Sequence, residues 1–301
     1  MNNHTSETTR PASQPLGGTA LMLAGAAMIS FSAVFVKLAH VGPTMAGFYR
    51  MLFGGLLLAG VVLAGGHRPR IRPRDLGLCL ACAVFFALDL SFWHRSIHYV
   101  GPGLATILSN FQVFFLAGFG AAFFGEKLGW RLTLAIPLAL AGLYLLVGVG
   151  RLELSADYRL GLAYGGFTAM AYAAYLLTLR RLQAGQDGPA AMGNMVLISL
   201  VCALILGLEA WAQGESFAIP DLQSWASLLG YGLAGQVLGW VLISKGLPRA
   251  PASQAGLVLL LQPTLSFVWD MLFFARPTDA LDLVGACGAL AAIYLGTSRR
   301  G

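Results

Sequence analysis

Long apolar runs dominate the sequence, and short polar segments separate them. Seven runs of 19 or more residues contain no charged residue, and three more become spans if charged residues inside them, among them Arg50, Asp89 and Asp282, are tolerated. A helix that crosses a membrane needs about 20 mostly apolar residues. The runs predict ten spans at 16–36, 44–66, 75–98, 100–125, 132–150, 160–179, 188–208, 222–244, 250–269 and 281–298. We therefore expect an all-α polytopic membrane protein with ten transmembrane helices.

Composition supports the same class. Of the 301 residues, 57% are hydrophobic and only 11% are charged, whereas soluble domains carry about 25% charged residues. Ten helices leave short loops and no room for a second soluble domain. Residues 1–15 are polar, and we expect them to form a disordered cytoplasmic tail. The run at 16–36 is too long for the apolar core of a signal peptide and is expected to be retained.

The net charge of +6 is explained by membrane orientation rather than by nucleic acid. With alternating helices and a cytoplasmic N-terminus, thirteen Lys and Arg residues fall on the inner side, five on the outer side, and Arg50 within a span. Basic loops stay cytoplasmic in membrane proteins and contact anionic lipid. We predict a multi-pass protein of the inner (cytoplasmic) membrane with both termini in the cytoplasm.

Two halves of the chain resemble each other. A shift of 149 positions places Pro102 on Pro251 and Lys127 on Arg276, and a shift of 144 places Lys37 on Arg181. The predicted repeats are 16–150 and 151–301, with five helices each. An odd number of helices inverts the second repeat in the membrane, and inverted repeats are typical of transporters that bind substrate near the midplane.

Two sequence stretches carry a family resemblance. Residues 101–105 (GPGLA), the following apolar stretch and residues 124–128 (FGEKL) resemble the EamA-type repeat of the drug/metabolite transporter superfamily, and residues 251–255 (PASQA) followed by Gln262-Pro263 resemble its second copy. Within that superfamily the chain is most similar to bacterial aromatic amino acid exporters. The resemblance implies ten helices, cytoplasmic termini, a central cavity and alternating access. One departure is that Phe274-Ala275 replaces the Gly-Glu pair in the second copy. Glu126 therefore has no symmetric counterpart, and any role of its carboxylate is confined to one side of the repeat pair.

Charged residues inside spans are costly and usually face a cavity or a partner. Asp89 shares a helical face with Trp93, one turn later. Asp89 is expected either to bind a proton or a substrate ammonium group, or to pair permanently with Lys37, Arg50 or Arg95. Pairing between Arg50 and Asp89 is the first expectation.

Other polar and aromatic residues are predicted near the same depth. Amides, hydroxyls and aromatic faces can bind an amino acid, its ammonium group and its side chain. The alternative for each amide is a hydrogen bond between helices. With Asp89 and Trp93, the candidate substrate-binding residues are Ser30, Asn110, Tyr172, Tyr175, Gln236, Trp240 and Gln262.

Gating or ion pairing is predicted for Lys37, Arg50, Glu126 and Asp270. For Glu126, an interfacial salt bridge would suffice, and a gate is the alternative. Pro263 lies inside the ninth predicted helix and should kink it. The freed carbonyl could bind a substrate ammonium group.

Enzyme motifs are missing from the sequence, and no cofactor or metal is expected. Cys79 and Cys82 have redox spacing but lie in an apolar helix, where packing explains them. The sequence predicts a secondary-active transporter that exports amino acids, chiefly aromatic and other neutral ones, or related metabolites by alternating access around a midplane cavity. The partners are then a small-molecule substrate and the lipid bilayer, and a monomer is expected. The alternatives are a broad-specificity drug/metabolite efflux carrier and a membrane-embedded enzyme.

Overall fold

The computed structural model describes residues 17–67, 71–147, 155–186, 188–275 and 278–297. Within these ranges the regular structure is helical, without β-strands. The predicted tail at 1–15 lies outside the described residues. The same holds for seven of the bases on which the predicted orientation depends: Arg10, Arg68, Arg70, Arg151, Arg276, Arg299 and Arg300.

Thirteen α-helices and a π-helical stretch follow one another along this part of the chain. They are α1 (Gly18–Ser30), α2 (Ser32–Leu38), α3 (Pro43–Ala64), α4 (Leu76–Asn110), α5 (Gln112–Phe124), α6 (Trp130–Val147), α7 (Ala156–Gln183), α8 (Gly188–Ala212), α9 (Leu222–Tyr231), the π-helical stretch (Gly232–Trp240), α10 (Val241–Gly246), α11 (Ala252–Leu259), α12 (Leu261–Phe274) and α13 (Ala280–Thr297).

Eight helical segments among the described residues are long and apolar enough to cross a membrane. These are Gly18–Leu38, Pro43–Ala64, Pro73–Val100, Ala105–Phe124, Ala156–Gln183, Gly188–Ala212, Leu222–Arg249 and Ala252–Phe274. Two shorter apolar helices, Trp130–Leu145 and Ala280–Gly296, coincide with the fifth and tenth predicted spans. The predicted polytopic helical class is therefore confirmed.

The long helix α4 contains most of the span Pro73–Val100 and the first six residues of the span Ala105–Phe124. A straight helix of its 35 residues would be about 52 Å long, well beyond the ~30 Å hydrocarbon core. Phe86 in α4 stacks on Tyr175 of α7, and the hydroxyl of Ser96 donates to the carbonyl of Gly161, nearer the start of α7, 2.9 Å away. Leu108 lies against Gly165, one turn back toward Tyr175. The order of contacts along α7 therefore reverses between Ser96 and Leu108, around the predicted boundary at residue 99.

Apolar side chains cover the outside of the bundle, and polar side chains lie within it. Leu222, Phe123 and Tyr294 are 84%, 73% and 76% exposed. The buried polar set includes Arg50, Asp89, Asn110, Gln112, Asn194 and Gln236. This distribution reverses that of a soluble protein, because lipid surrounds the helices and every buried polar group needs a protein partner or a ligand.

Helix contacts follow a paired pattern. Three contacts join helices of the first half to their counterparts in the second: α3 with α8, α5 with α11, and α6 with α13. Two further contacts correspond to each other, since α1 packs on the π-helical stretch and α10, while α7 packs on α4. These contacts thus join helices of the two halves in corresponding pairs.

Two helix breaks occur at matched positions. Phe111 and Leu260, 149 residues apart, have nearly the same backbone angles (φ −63°, ψ −9° and φ −65°, ψ −11°). Helices α5 and α12 then both end in the left-handed region, at Gly125 (φ 62°) and Ala275 (φ 48°). The expected kink near Pro263 is present, but it lies at Leu260. Since Phe111 breaks its helix without a proline, proline alone does not explain the pair.

Helix one departs from its prediction as a single run. It breaks at Phe31, where ψ is −12°, and the carbonyl of Ser30 accepts a hydrogen bond from the hydroxyl of Ser266 in α12, 2.9 Å away. The indole of Trp269 stacks on Phe31 at 4.4 Å and donates to the Ser30 hydroxyl at 2.7 Å. These contacts anchor the break against α12 and leave α2 as a separate, seven-residue outer segment of helix one.

Candidate functional site

Aromatic and charged side chains meet where α3, α4, α7, α12 and the π-helical stretch converge. We call this group the central cluster. Its members are Arg50, Phe86, Asp89, Tyr172, Tyr175, Tyr231, Trp240 and Gln262. Both halves of the chain contribute, so relative movement of the halves changes the shape of this site.

Trp240 is the hub of the aromatic part. Its ring makes edge-on contacts with Tyr175 at 4.9 Å, with Phe86 at 5.3 Å and with Tyr172 at 6.3 Å. Phe86 and Tyr175 stack face to face at 4.5 Å. These rings come from α4, α7 and the π-helical stretch, and Trp240 is only 1% exposed. The result is a rigid wall of ring faces and edges suited to an apolar or cationic ligand group.

Arg50 supplies a buried positive charge. Its side chain, on α3, is 6% exposed. Nη1 donates to the hydroxyl of Tyr231 at 3.1 Å, and the guanidinium lies 5.0 Å from the Tyr231 ring and 5.8 Å from the Phe86 ring. Ring faces attract the cation but do not neutralise it. Its Nε has no hydrogen-bond partner among the described residues.

Asp89 lies close to this charge but does not bind it directly. The expected pairing with Arg50 is wrong, since no base of the described chain lies within 4.0 Å of the Asp89 carboxylate. Lys37 and Arg95 are both paired elsewhere, at 2.8 Å to Asp270 and at 2.8 Å to Glu209. The Arg50 and Asp89 charges nonetheless interact electrostatically. The interior thus holds the Arg50 cation near the Asp89 carboxyl group without a salt bridge.

Several donors of the central cluster are free of protein acceptors. Nε1 of Trp240 and the hydroxyl of Tyr175 are buried and make no hydrogen bond to the described residues. A buried polar group left in this condition costs about 1–3 kcal/mol. A bound ligand with carboxylate or carbonyl oxygens would recover part of that cost.

Four other predicted binding residues lie in different surroundings. Gln236 donates to the hydroxyl of Ser199 at 2.8 Å, between helices, and Asn110 donates to the carbonyl of Thr106 at 2.7 Å within its own helix. Ser30 sits at the break in helix one. Trp93 is half-buried one turn from Asp89, with its ring 5.3 Å from the His94 ring. The Gln236 nitrogen makes the interhelical bond of the alternative interpretation, but the Gln236 Oε1 has no partner among the described residues, and the Asn110 bond joins no second helix.

Phe86 and Tyr231 are members that sequence reasoning missed. Phe86 lies three residues before Asp89 and therefore on the same helical face, which was a usable signal. Tyr231 precedes the π-helical stretch, and its contact with Arg50 depends on how α3 and α9 pack. Sequence periodicity contains no information about that contact.

At one end of the bundle, Glu126 joins three helices in what we call the Glu126 latch. Its Oε1 accepts from the amide of Ala252 at 2.7 Å and from Nη1 of Arg180 at 3.3 Å. Its Oε2 accepts from the amide and the hydroxyl of Ser253, at 3.1 Å and 2.8 Å. A carboxylate from the first half thus caps α11 of the second half and pairs with the end of α7.

The Glu126 carboxyl is strongly biased toward its charged form. Burial raises its pKa, but the hydrogen bonds from Ala252 and Ser253 and the charge of Arg180 together outweigh burial. The pKa therefore lies below its ordinary value of 4.5. The latch is a charged, fully bonded cap at neutral pH.

At the opposite end, which we call the Lys37 end, weaker contacts bind α2. Nζ of Lys37 lies 2.8 Å from the carboxylate of Asp270 in α12, with the two side chains 51% and 28% exposed. Nδ1 of His40 lies 2.7 Å from the carboxylate of Asp221, which also caps α9 by accepting from the amide of Ser224 at 2.7 Å. The hydrogen bonds from His40 and Ser224 lower the pKa of Asp221.

Apolar surface outside, charge and aromatic rings inside, and polar contacts between halves at both ends define a multi-pass membrane protein with a buried polar site. The chain belongs to the EamA-like transporter family, whose pattern matches residues 16–148 and again 159–297. It is therefore a membrane transporter and not an enzyme. The resemblance to this branch of the drug/metabolite transporter superfamily is confirmed.

Similar proteins cover nearly the whole chain. The pseudopaline exporter of Pseudomonas aeruginosa is 24% identical over 298 residues, covering 93% of this chain and 97% of the relative. A probable amino-acid metabolite efflux pump of Salmonella typhimurium is 24% identical over 277 residues, covering 89% of each. A crystal structure of a protein 16% identical shares the fold, with a TM-score of 0.77 over 93% of this chain and 97% of that one.

Proposed function

We propose that this protein is a secondary-active exporter of amino acids, chiefly aromatic and other neutral ones, or of related metabolites. The observation that carries the proposal is the central cluster, in which the Arg50 cation, the Asp89 carboxyl group and unbonded donors lie beside a wall of aromatic rings. The names of two relatives, a pseudopaline exporter and an amino-acid metabolite efflux pump, support export as the direction.

The architecture that we propose has ten transmembrane helices in two inverted five-helix repeats, 16–150 and 151–301. The paired helix contacts and the matched breaks at Phe111 and Leu260 support it. Both termini then face the cytoplasm, as the predicted distribution of basic loops requires. The protein would lie in the inner membrane and work as a monomer.

Alternating access would follow from the latches at the two ends. The Glu126 latch and the Lys37–Asp270 pair each join a first-half helix to a second-half helix. Opening one end requires release of the contacts there, while those at the other end keep that side closed. The central cluster lies between them and would be exposed to one side at a time.

Flux measurements test the proposal. Purified protein in liposomes loaded with labelled phenylalanine, threonine or methionine should release label faster than protein-free liposomes. Efflux of a lipophilic dye without amino-acid flux would instead favour a drug carrier. If neither class of compound moves, transport of small metabolites by this site is wrong.

A further inference from the structure

Arg50 is unusual among the charged residues of the described bundle. Arg50 is only 6% exposed, yet its guanidinium lies more than 4.0 Å from every described carboxylate. Burying a charge without an opposite partner is costly. The ring faces of Tyr231 and Phe86 and one hydrogen bond to Tyr231 offset only part of this cost.

Two buried polar atoms without partners lie beside Gly235, next to Arg50. Gly235, in the π-helical stretch, faces the guanidinium, and a Cβ at this position would lie 3.3 Å from Nε of Arg50 and 3.5 Å from the hydroxyl of Ser32. Both of these polar atoms are buried and have no partner among the described residues. Two donors therefore converge beside a residue that has no side chain.

A buried carboxyl group lies near this cation. Asp89 is 8% exposed and interacts electrostatically with both Arg50 and Tyr172. Phe86 lies one helical turn before Asp89 and packs against the Arg50 guanidinium and the Trp240 ring. An α-amino carboxylate carries its two charges on neighbouring groups, so it can lie between the two side chains and satisfy both.

We propose that Arg50, with the hydroxyl of Ser32, is the carboxylate subsite of the central cluster, and that Asp89 binds the ammonium group. The substrate class is then a zwitterion with an apolar or aromatic side chain packed on Trp240. This inference rests on the proposed function, because it assigns each end of the substrate to a side chain. It also excludes simple lipophilic amines as preferred ligands, since an amine would leave the Arg50 charge unpaired.

Matched ligands that differ only in charge test the assignment. Phenylalanine, 3-phenylpropionate and phenethylamine share a phenylethyl group and carry both charges, only the carboxylate and only the ammonium group, respectively. Binding to the purified protein is measured by calorimetry for the wild type, Arg50→Gln, Arg50→Lys and Asp89→Asn. Arg95→Gln is the control, because Arg95 pairs with Glu209 outside the cluster.

The wild type should bind phenylalanine more tightly than either singly charged ligand. Arg50→Gln should weaken phenylalanine and 3-phenylpropionate about 10- to 100-fold, the range for a hydrogen bond to a charged group, and should leave phenethylamine equal or tighter. Arg50→Lys should retain part of the carboxylate preference. Asp89→Asn should weaken phenylalanine and phenethylamine but not 3-phenylpropionate, and Arg95→Gln should change none.

Three results would overturn the assignment. These are a wild type that binds none of the carboxylates, a wild type that binds phenethylamine as tightly as phenylalanine, and a ligand ranking that Arg50→Gln and Arg50→Lys leave unchanged. If Arg50→Gln does not fold, the Arg50→Lys ranking decides. Liposome flux separates this inference from the proposed function. Charge-specific binding without flux refutes transport alone. Flux together with a ligand ranking that the Arg50 variants leave unchanged refutes the subsite alone.

Discussion

Replacing Glu126 by Gln should destabilise the protein by removing half of the Glu126 latch. The carboxylate accepts two hydrogen bonds on each oxygen, and the amide nitrogen of Gln accepts none. Either the bonds from Ala252 and Arg180 or the two from Ser253 are therefore lost. At about 1–1.5 kcal/mol for each bond to a charged, partly buried group, the loss is about 2–3 kcal/mol.

Thermal denaturation of the purified protein in detergent measures this loss. For a chain of this size, the midpoint should fall by roughly 5 °C. The control is Glu215→Gln, which makes the same chemical change at the opposite end, where the Glu215 carboxylate has no hydrogen bond or ion pair within the described structure. Equal midpoints for Glu126→Gln and Glu215→Gln would refute the energetic role of the latch.

The pH dependence of the same difference provides a second check. Because the folded-state pKa of Glu126 lies below its ordinary value of 4.5, the charged form stabilises the folded state. That contribution is complete above about pH 4.5 and is lost as the pH falls through the lowered pKa. The gap between wild type and Glu126→Gln should stay constant from pH 7 to about 4.5 and narrow below it. A gap that widens in acid would contradict the assigned sign.

Three further substitutions test other parts of the structure. Gly235→Ala places a Cβ 3.3 Å from Nε of Arg50, so it should weaken substrate flux while the protein still folds. Gly166→Ala, which has open space around it, is the matched control. Equal flux in the two variants would contradict the crowding argument. Trp240→Phe keeps a ring in the aromatic wall and should retain the fold but lower substrate affinity in calorimetry; undiminished affinity would remove Trp240 from the site. Asp221→Asn removes the cap of α9 and the partner of His40, so its thermal midpoint should lie below that of the wild type at pH 7. The difference should close as acid protonates the wild-type carboxyl. A difference that persists at low pH would argue against the charged cap.

The membrane-spanning helical class follows from the sequence because lipid imposes a simple rule. Apolar length predicts a span whatever its neighbours are, and the described spans match the predicted runs within a few residues over most of the chain. The breaks are harder to predict. Nothing in the residues around Phe31 marks a helix end, and the break is stabilised by Ser266 and Trp269, more than 230 residues away.

The candidate site was predictable in kind but not in detail. The free-energy cost of an ionisable side chain within a membrane span identifies Arg50 and Asp89 as candidate functional residues. The predicted salt bridge between Arg50 and Asp89 is wrong, because the two side chains lie near each other without direct contact. Whether two charges on neighbouring helices touch depends on helix rotation, and here Phe86 and Tyr231 occupy the contact positions around the guanidinium. Gln236 illustrates the same limit, because its amide nitrogen donates to Ser199 on α8, outside the cluster.

The two ends of the bundle differ in strength, and the difference has a consequence for transport. An exposed ion pair such as Lys37–Asp270 contributes about 0–1 kcal/mol, whereas the Glu126 latch contains four hydrogen bonds to a largely buried carboxylate. Ala275 occupies the position in the second repeat that corresponds to Glu126 in the first. Because alanine has no carboxylate, this position cannot form the same cap at the Lys37 end. The helix break at Phe31 also gives α2 a point about which to move. The Lys37 end should therefore open more readily, and in the proposed orientation this end faces away from the cytoplasm, the side to which an exporter must release its substrate.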